Sequence, residues 1–341
     1  TICAVVADCD VWEDIADHCR VKENWFRESL HLELRDGIPS HDTLQRVWSM
    51  LNPQEFERCF SAWVSSVCHP KERECISIDG KTLCGSRGKD MKPLHMVSAW
   101  AHENQMVLGQ IATDEKSNEI TAVPALLDAL DVRSAIITAD ALNCQKTIAR
   151  KASECGADYV LALKENQPSL LGDVREYFKA ADETPALYPK RETAATLEKQ
   201  HVRIEKRQYT LSTDCDWLEN RGDWSQLRGI GRVHSEVTIA DATRTEDRYY
   251  ITSLTSVKEF ATAVRAHWGI ENSLHWCLDM TFHDDYSQIR KDHSAENMAV
   301  VRHIVLNLLK QHPSKMSVAR KRRHCSYDEA FLAEIMLAVH A

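Results

Sequence analysis

Three carboxylates in this sequence are spaced to do chemistry together. Asp79 closes the run CISID, Asp140 closes SAIITAD, and Glu271 lies inside HWGIENSLHWCLD. Both aspartates end short apolar runs that read as strands, and in an open α/β sheet ligands gather where the strands end. Either one alone fits an ordinary turn former equally well. Two carboxylates held close repel and take up a proton unless a cation neutralises them, and an all-oxygen ligand set suits Mg2+ or Mn2+. Glu271 sits about 100° round its helix from the face of Ile270, Leu274 and Cys277, where it can lean over the strand ends as a third ligand. The plainer alternative is an exposed Glu271 paired with a neighbouring histidine. His267, Glu271 and His275 also form a two-histidine, one-glutamate set of the kind that holds zinc. That set spans about 12 Å of a straight helix, too far for one ion.

The elements that must position these residues follow from the period of the apolar pattern. Residues 1–70 read as helical: Trp12, Ile15 and Cys19 share a face, and IPSHDTLQRVWSML predicts a helix capped by Ser40 with an apolar stripe of Leu44, Val47, Met50 and Leu51. Phe56, Phe60 and Trp63 continue the pattern. From residue 75 the period changes to that of strands: CISID, LHMVSAWA and MVLGQIAT, then SAIITAD and DYVLALK. Before, between and after the last two lie, in turn, helices starting near Glu119 (capped by Ser117 or Asn118), near Gln145 and at PSLLGDVREYFKA. The result is a mixed α/β sheet flanked by helices. Residues 181–254 break the alternation with RIEKRQYTLS, GRVHSEVTIA and RYYITSL, a β-rich insertion. Helices resume at VKEFATAVRAHWGIENSLHWCL and AENMAVVRHIVLNLLK. The expected division is 1–70 helical, 71–180 and 255–312 the two parts of an α/β core, 181–254 the insertion, and 313–341 a basic helical tail.

Composition narrows the class. The chain has 341 residues, 43% of them hydrophobic, enough for a sizeable core. No run of about 18 apolar residues and no signal-peptide pattern occurs, so a cytoplasmic location without membrane partners is the default expectation. Twelve cysteines without a C-x-x-C pair fit reduced thiols. A net charge of −9 argues against generic nucleic-acid binding and leaves it to local patches. One candidate is Lys315 with Arg320, Lys321, Arg322, Arg323 and His324. The first residues carry no initiating Met, so the numbering is expected to start partway through a longer protein.

The segments SHDTLQRVW, IDGKTL, DEKSNEITAVP, DALNCQ, LALKENQ, RIEKRQY, RYYITSL and HWGIENSLHWCLD occur in this order. Together they resemble the H-repeat-associated transposases, the insertion-sequence family linked to Rhs elements, over nearly the whole chain. The resemblance implies a DDE transposase with a ribonuclease-H-like core, in which Asp79, Asp140 and Glu271 are the acidic triad. Two Mg2+ or Mn2+ ions then serve DNA cleavage and strand transfer, with Asp79 bridging them, Asp140 on one and Glu271 on the other. The implied partners are double-stranded DNA, as terminal inverted repeats and target, and further copies of the chain on paired ends. The implied setting is the nucleoid of a bacterial cytoplasm. Lys81, Lys164 and Arg265 are candidate phosphate contacts, and Asn166 and Gln167 candidate base or backbone contacts. His267, Trp268 and Asn272 join them beside Glu271. Trp268 and Trp276 are candidates for stacking on an unpaired base, with core packing expected for at least one of them. Glu119 is a further acid near the ions or a first-turn helix acid. Cys84 departs from a usual Arg, and Asn143, Glu165 and Val202 from usual glycines. Those departures leave a catalytically decayed, DNA-binding descendant as the alternative.

Overall fold

The computed structural model describes residues 1–68, 71–87, 92–113, 118–200, 203–240 and 242–337. Ser117 and Val202 lie outside the described residues. Five helices lead: α1 Ile2–Val6, α2 Trp12–Val21, α3 Glu23–Ser29, α4 His41–Met50 and α5 Pro53–Val67. The Ser40 hydroxyl accepts from the Thr43 N–H at 3.3 Å, and the Asn52 side chain accepts from the Glu55 N–H at 3.0 Å. Each satisfies a donor that a first helical turn leaves unpaired, and so fixes where α4 and α5 begin. Next come β1 Cys75–Thr82, β2 His95–Ala101, β3 Met106–Thr113, α6 Glu119–Ala129, β4 Ile136–Ala139, α7 Lys146–Glu154, β5 Asp158–Leu163 and α8 Pro168–Glu183. The chain leaves α7 through Gly156 at φ +74°, a left-handed exit that glycine makes without strain. Four strands follow, β6 Arg191–Gln200, β7 Arg203–Ser212, β8 Gly229–Ile239 and β9 Ala242–Thr252. The chain continues through α9 Val257–Ile270, a π-helical turn Glu271–His275, α10 Trp276–Thr281, α11 Ser294–Gln311, α12 Val318–Tyr327 and α13 Glu329–Leu337.

The chain divides into two compact units. One comprises Pro70–Asp79 and Glu119–Gly269. Its strands lie in the order β1-β4-β5-β9-β8-β7-β6, the first three parallel and the rest antiparallel. Tyr209, Leu211, Val233 and Tyr250 form one face of the outer strands, packed with Phe260, Ala263 and Val264 of α9. A Cβ on Gly231 would overlap the Phe260 ring, so glycine is what lets α9 approach this closely. On the opposite face Phe178 of α8 meets Tyr249 and the Arg232 guanidinium.

The other unit comprises Thr1–His69, Gly80–Asn118 and Ile270–Ala341. It holds α1–α5, the antiparallel β2–β3 pair beside the last residues of β1, the π-turn and α10–α13. Asn307 of the buried α11 clamps β3, accepting from the Val107 N–H at 2.8 Å and donating to its carbonyl at 2.9 Å. Three successive strands in the order β3-β2-β1, with β1 then joined by parallel β4 and β5, give the mixed α/β sheet of a ribonuclease-H-like core.

Several readings are corrected. In α4 the expected stripe is not a core face: Val47 is 50% and Met50 67% exposed, while Trp48 turns inward and donates to Thr1 Oγ1 at 2.9 Å. The insertion has a strand, β6, too polar to read from RETAATLEKQ, and β9 starts well before RYYITSL. The C-terminal basic cluster is no surface patch at its centre. Lys321 donates to the carbonyls of Leu309 and His312 at 2.6 and 2.8 Å, and Arg322, 0% exposed, donates to the Val5 carbonyl and to Asp10. All twelve cysteines are free thiols, and among the described residues no helix is long and apolar enough to cross a membrane.

Candidate active site

Asp79 and Asp140 are set by strand register. β1 and β4 pair in parallel from Cys75↔Ile136 to Ile78↔Ala139, and the two aspartates are the next residue on each strand. Neighbouring strands lie about 4.8 Å apart, so the two half-buried carboxylates leave the same sheet edge side by side.

The loop behind Asp140 is tightly braced. Asp140 Oδ1 accepts from the Asn143 backbone N–H at 3.1 Å and from Asn143 Nδ2 at 3.0 Å, and Nδ2 also donates to Glu119 Oε2 at 2.9 Å. Asn143 is 0% and Glu119 1% exposed, so this arrangement is shielded from water. Asn166 Nδ2 donates to the Ala141 carbonyl at 2.5 Å and Gln167 Nε2 to that of Cys144 at 3.1 Å. These two residues therefore hold the Asp140 loop. Asn143, read from the sequence only as a departure from glycine, supplies the amide that orients the aspartate.

The end of α9 packs just below. Thr138 Oγ1 donates to Ser77 Oγ at 3.0 Å, Ser77 Oγ lies 3.5 Å from the Ala266 carbonyl, and His267 Nδ1 is 3.0 Å from Thr138 Oγ1. With the Thr138 proton directed at Ser77, the remaining role for Nδ1 is donor, which fixes the His267 tautomer. Ser77 and Thr138 each precede an aspartate by two residues, so they share its face of the strand. The last turn of α9 thus lies on the face from which Asp79 and Asp140 project.

Glu271 opens the π-turn, where a straight helix was expected. The turn covers Glu271–His275, the second half of the row read as His267, Glu271 and His275. His275 Nδ1 lies 3.5 Å from Glu271 Oε2. His275 is buried and lines a cavity of about 10 Å3 with Lys81, Ser98, Asp284, Arg302 and His303. Burial pushes the Asp284 carboxyl up against the opposing pull of Arg302, 2.5 Å away. Burial, with the His275 and Arg302 charges, drops His303 to about 3, so it is neutral.

The remaining candidates are scattered in their roles. Lys81 is held by Asp279 at 2.6 Å and Asp285 at 3.3 Å rather than projecting into solvent. Arg265 makes a two-pronged ion pair with Glu198 at 3.0 and 2.9 Å. Lys164, Glu165 and Asn272 are exposed, and Arg175 lies 3.4 Å from Glu165. Cys84 is exposed, and burial together with Asp285 raises its thiol. Neither tryptophan is core: Trp268 is 42% exposed beneath the Arg248 guanidinium, and Trp276 is 60% exposed.

Known proteins match nearly the whole chain. Residues 1–64 match the family described as DDE_Tnp_1-associated, and residues 66–308 match the transposase DDE domain. The chain is 36% identical over 348 residues to "H repeat-associated putative transposase YhhI" of Escherichia coli K12, covering 98% of this chain and 90% of that one. It is 37% identical over 349 residues to "Putative transposase YncI" of Escherichia coli O157:H7, covering 98% and 87%. A solved structure of the piggyBac transposase synaptic complex with hairpin DNA aligns with 100% of this chain and 71% of that one, at 10% identity and a TM-score of 0.39. The chain belongs to the transposase DDE domain family.

Proposed function

We propose that this transposase cuts DNA at the ends of an insertion sequence and joins the freed ends to a target by in-line phosphoryl transfer, with Asp79, Asp140 and Glu271 as metal ligands. The observation that carries the reading is the in-register pairing of β1 and β4, which ends in two neighbouring carboxylates on the face where α9 terminates. Chain continuity adds Glu271, one turn beyond His267. To these the reading adds His275, whose ring lies against Glu271.

The donor set fits divalent cations of the Mg2+ or Mn2+ class: carboxylate oxygens dominate, and Asn143 occupies only Oδ1 of Asp140. When bound, such ions lower the pKa of the attacking hydroxyl and neutralise charge on the leaving oxygen. The protein's own share is positional. Asn143 and Glu119 hold the Asp140 carboxylate, and Asn166 and Gln167 keep its loop in place. The substrate is double-stranded DNA bearing the element's terminal repeats, bound by more than one copy of the chain at the bacterial nucleoid. In this reading residues 181–254 are an insertion within the catalytic core.

The test is strand cleavage of terminal-repeat DNA in Mg2+ or Mn2+. Wild type is expected to nick. Asp79→Asn, Asp140→Asn and Glu271→Gln are expected to lose more than the roughly 10–100-fold that outer-shell changes cost. Equal nicking by wild type and Asp140→Asn would refute the catalytic reading. A decayed DNA-binding protein would bind the repeats and cut nothing. The Asn143 departure does not favour it, because Asn143 organises Asp140 rather than obstructing it.

A further inference from the structure

The strand order β1-β4-β5-β9-β8-β7-β6 ends on β6, and the outer side of that strand is open. The ten residues of β6 pair with β7 in one unbroken register, from Arg191↔Ser212 to Gln200↔Arg203. The strand holds no proline, and among the described residues no other backbone bonds to its outer side. Such an edge points a row of N–H and C=O groups outward, and folded proteins usually blunt it with charge, proline, a bulge or a cover.

Charge separates β6 from a second open edge in the same unit. β5 reaches β9 only over Tyr249–Thr252, so among the described residues 242–248 are also unpaired on that side. That stretch is blunted by Arg244, Glu246, Asp247 and Arg248. In β6 the charges stand at the two ends, Arg191 and Glu192 at one and Glu198 and Lys199 at the other, and residues 193–197 between them carry none. Two of the four are already engaged within the chain: Arg191 lies 3.4 Å from Asp182, and Glu198 lies 2.9 Å from both Arg207 and Arg265. In the uncharged middle Ala195 and Thr196 are exposed, and Leu197 is 72% exposed.

We propose that β6 pairs antiparallel with β6 of a second copy of this chain about a two-fold axis, so that the two sheets run on as one; this deepens the reading above, in which more than one copy acts. A two-fold axis that sets neighbouring strands antiparallel stands perpendicular to the sheet and keeps each face on its own side. A residue therefore meets one an even number of positions away. Only two such registers align nine residues of β6. Centring on Ala195 sets Arg191 against Lys199 of the second copy and Glu192 against its Glu198, each twice, and like charges directly opposite are unfavourable. Centring on Thr196 sets Thr196 against its own copy, Ala195 against Leu197, Ala194 against Glu198 and Thr193 against Lys199, with no like charges opposed. Threonine–threonine and apolar pairs support an antiparallel ladder, so the register is the one centred on Thr196.

The experiment is sedimentation velocity on the full chain without DNA, over a series of protein concentrations. It compares wild type, Thr196→Lys, Thr196→Glu, an equimolar mixture of those two, and Thr245→Lys, which adds the same charge at the β9 edge. Wild type is expected to pass from monomer to dimer as concentration rises. Each Thr196 variant sets like charges together on the axis and is expected to weaken the dimer at least about tenfold. Its circular dichroism is expected to stay that of wild type, since Thr196 is exposed. The mixture brings opposite charges together and is expected to restore the dimer, and Thr245→Lys is expected to dimerise like wild type. The proposal is overturned by a wild type that stays monomeric, by Thr196 variants that dimerise as tightly as wild type, by a mixture no tighter than either variant, or by Thr245→Lys weakening the dimer as much. Each of those outcomes leaves the catalytic reading to its own cleavage test. Equal nicking by wild type and Asp140→Asn sinks that reading and leaves the dimer standing.

Discussion

The best-determined group in the catalytic region is the amide of Asn143. One Nδ2 bridges Asp140 Oδ1 and Glu119 Oε2 in a place closed to water, so it fixes the direction of one carboxylate by means of another. Asn143→Ala is expected to lower cleavage by about 10–100-fold and to raise the Mg2+ concentration needed for half-maximal rate. Metal titration of cleavage, with DNA affinity measured alongside, separates this from lost binding, and an unchanged midpoint would contradict it. Glu119→Gln keeps an oxygen acceptor and is expected to stay near wild type. Glu119→Leu strands the Asn143 donor, at a cost of about 1–3 kcal/mol in stability. None of this could be seen in the sequence, where Asn143 and Glu119 are twenty-four positions apart. The aspartates themselves were visible because strand ends are marked by where an apolar run stops, as in CISID and SAIITAD.

At the level of elements, sequence and structure part where the local pattern is overruled. β1 to β5 were legible because each is a short apolar run bounded by polar turns. β6 was not, since its ten residues pair along their whole length with β7 at the sheet's edge, and an edge strand needs few apolar side chains. The π-turn at Glu271 leaves no compositional mark, because Ile270, Leu274 and Leu278 keep helical spacing in the sequence and are buried across it. In α4 the stripe of Val47 and Met50 obeys helical period and still faces solvent. Close packing decides other positions: Gly231→Ala is expected to destabilise the protein by about 1–3 kcal/mol through the Phe260 ring. The double variant Gly231→Ala/Phe260→Leu should lose less than the sum of its parts in urea denaturation; strict additivity would argue against this contact. Between α5 and β3, Glu57 accepts from the Gln110 N–H at 3.1 Å, and burial pushes its carboxyl up to about 7 from 4.5. The folded state then holds that proton more tightly than the unfolded chain. Its stabilising effect is complete below about pH 4.5 and is lost as pH rises to about 7, on the order of 3 kcal/mol. Glu57→Gln is expected to flatten this part of the stability–pH curve, and an unaltered slope would exclude Glu57 as its source.

At the scale of the whole chain, Arg322 is a long-range tie within the unit that holds α1–α5. It lies wholly buried over the Phe282 ring, donating to the Val5 and Thr281 carbonyls and pairing with Asp10 at 2.6 Å and Asp8 at 3.2 Å. Sequence reading took it for part of a surface charge cluster, since a run of basic residues gives no hint that one of them points inward. Arg322→Ala would leave Asp10 and two carbonyls without their donor. It is expected to cost about 3–5 kcal/mol, measured as a lower urea midpoint, whereas the neighbouring exposed Arg323→Ala should change almost nothing. The tie also has a consequence for biosynthesis. Val5 and Arg322 are 317 positions apart. At roughly 5–20 residues per second, the ribosome delivers the second of them some 15–60 s after the first. For that interval α1 waits without this partner, so a nascent chain halted upstream of α12 lacks the donor to the Val5 carbonyl.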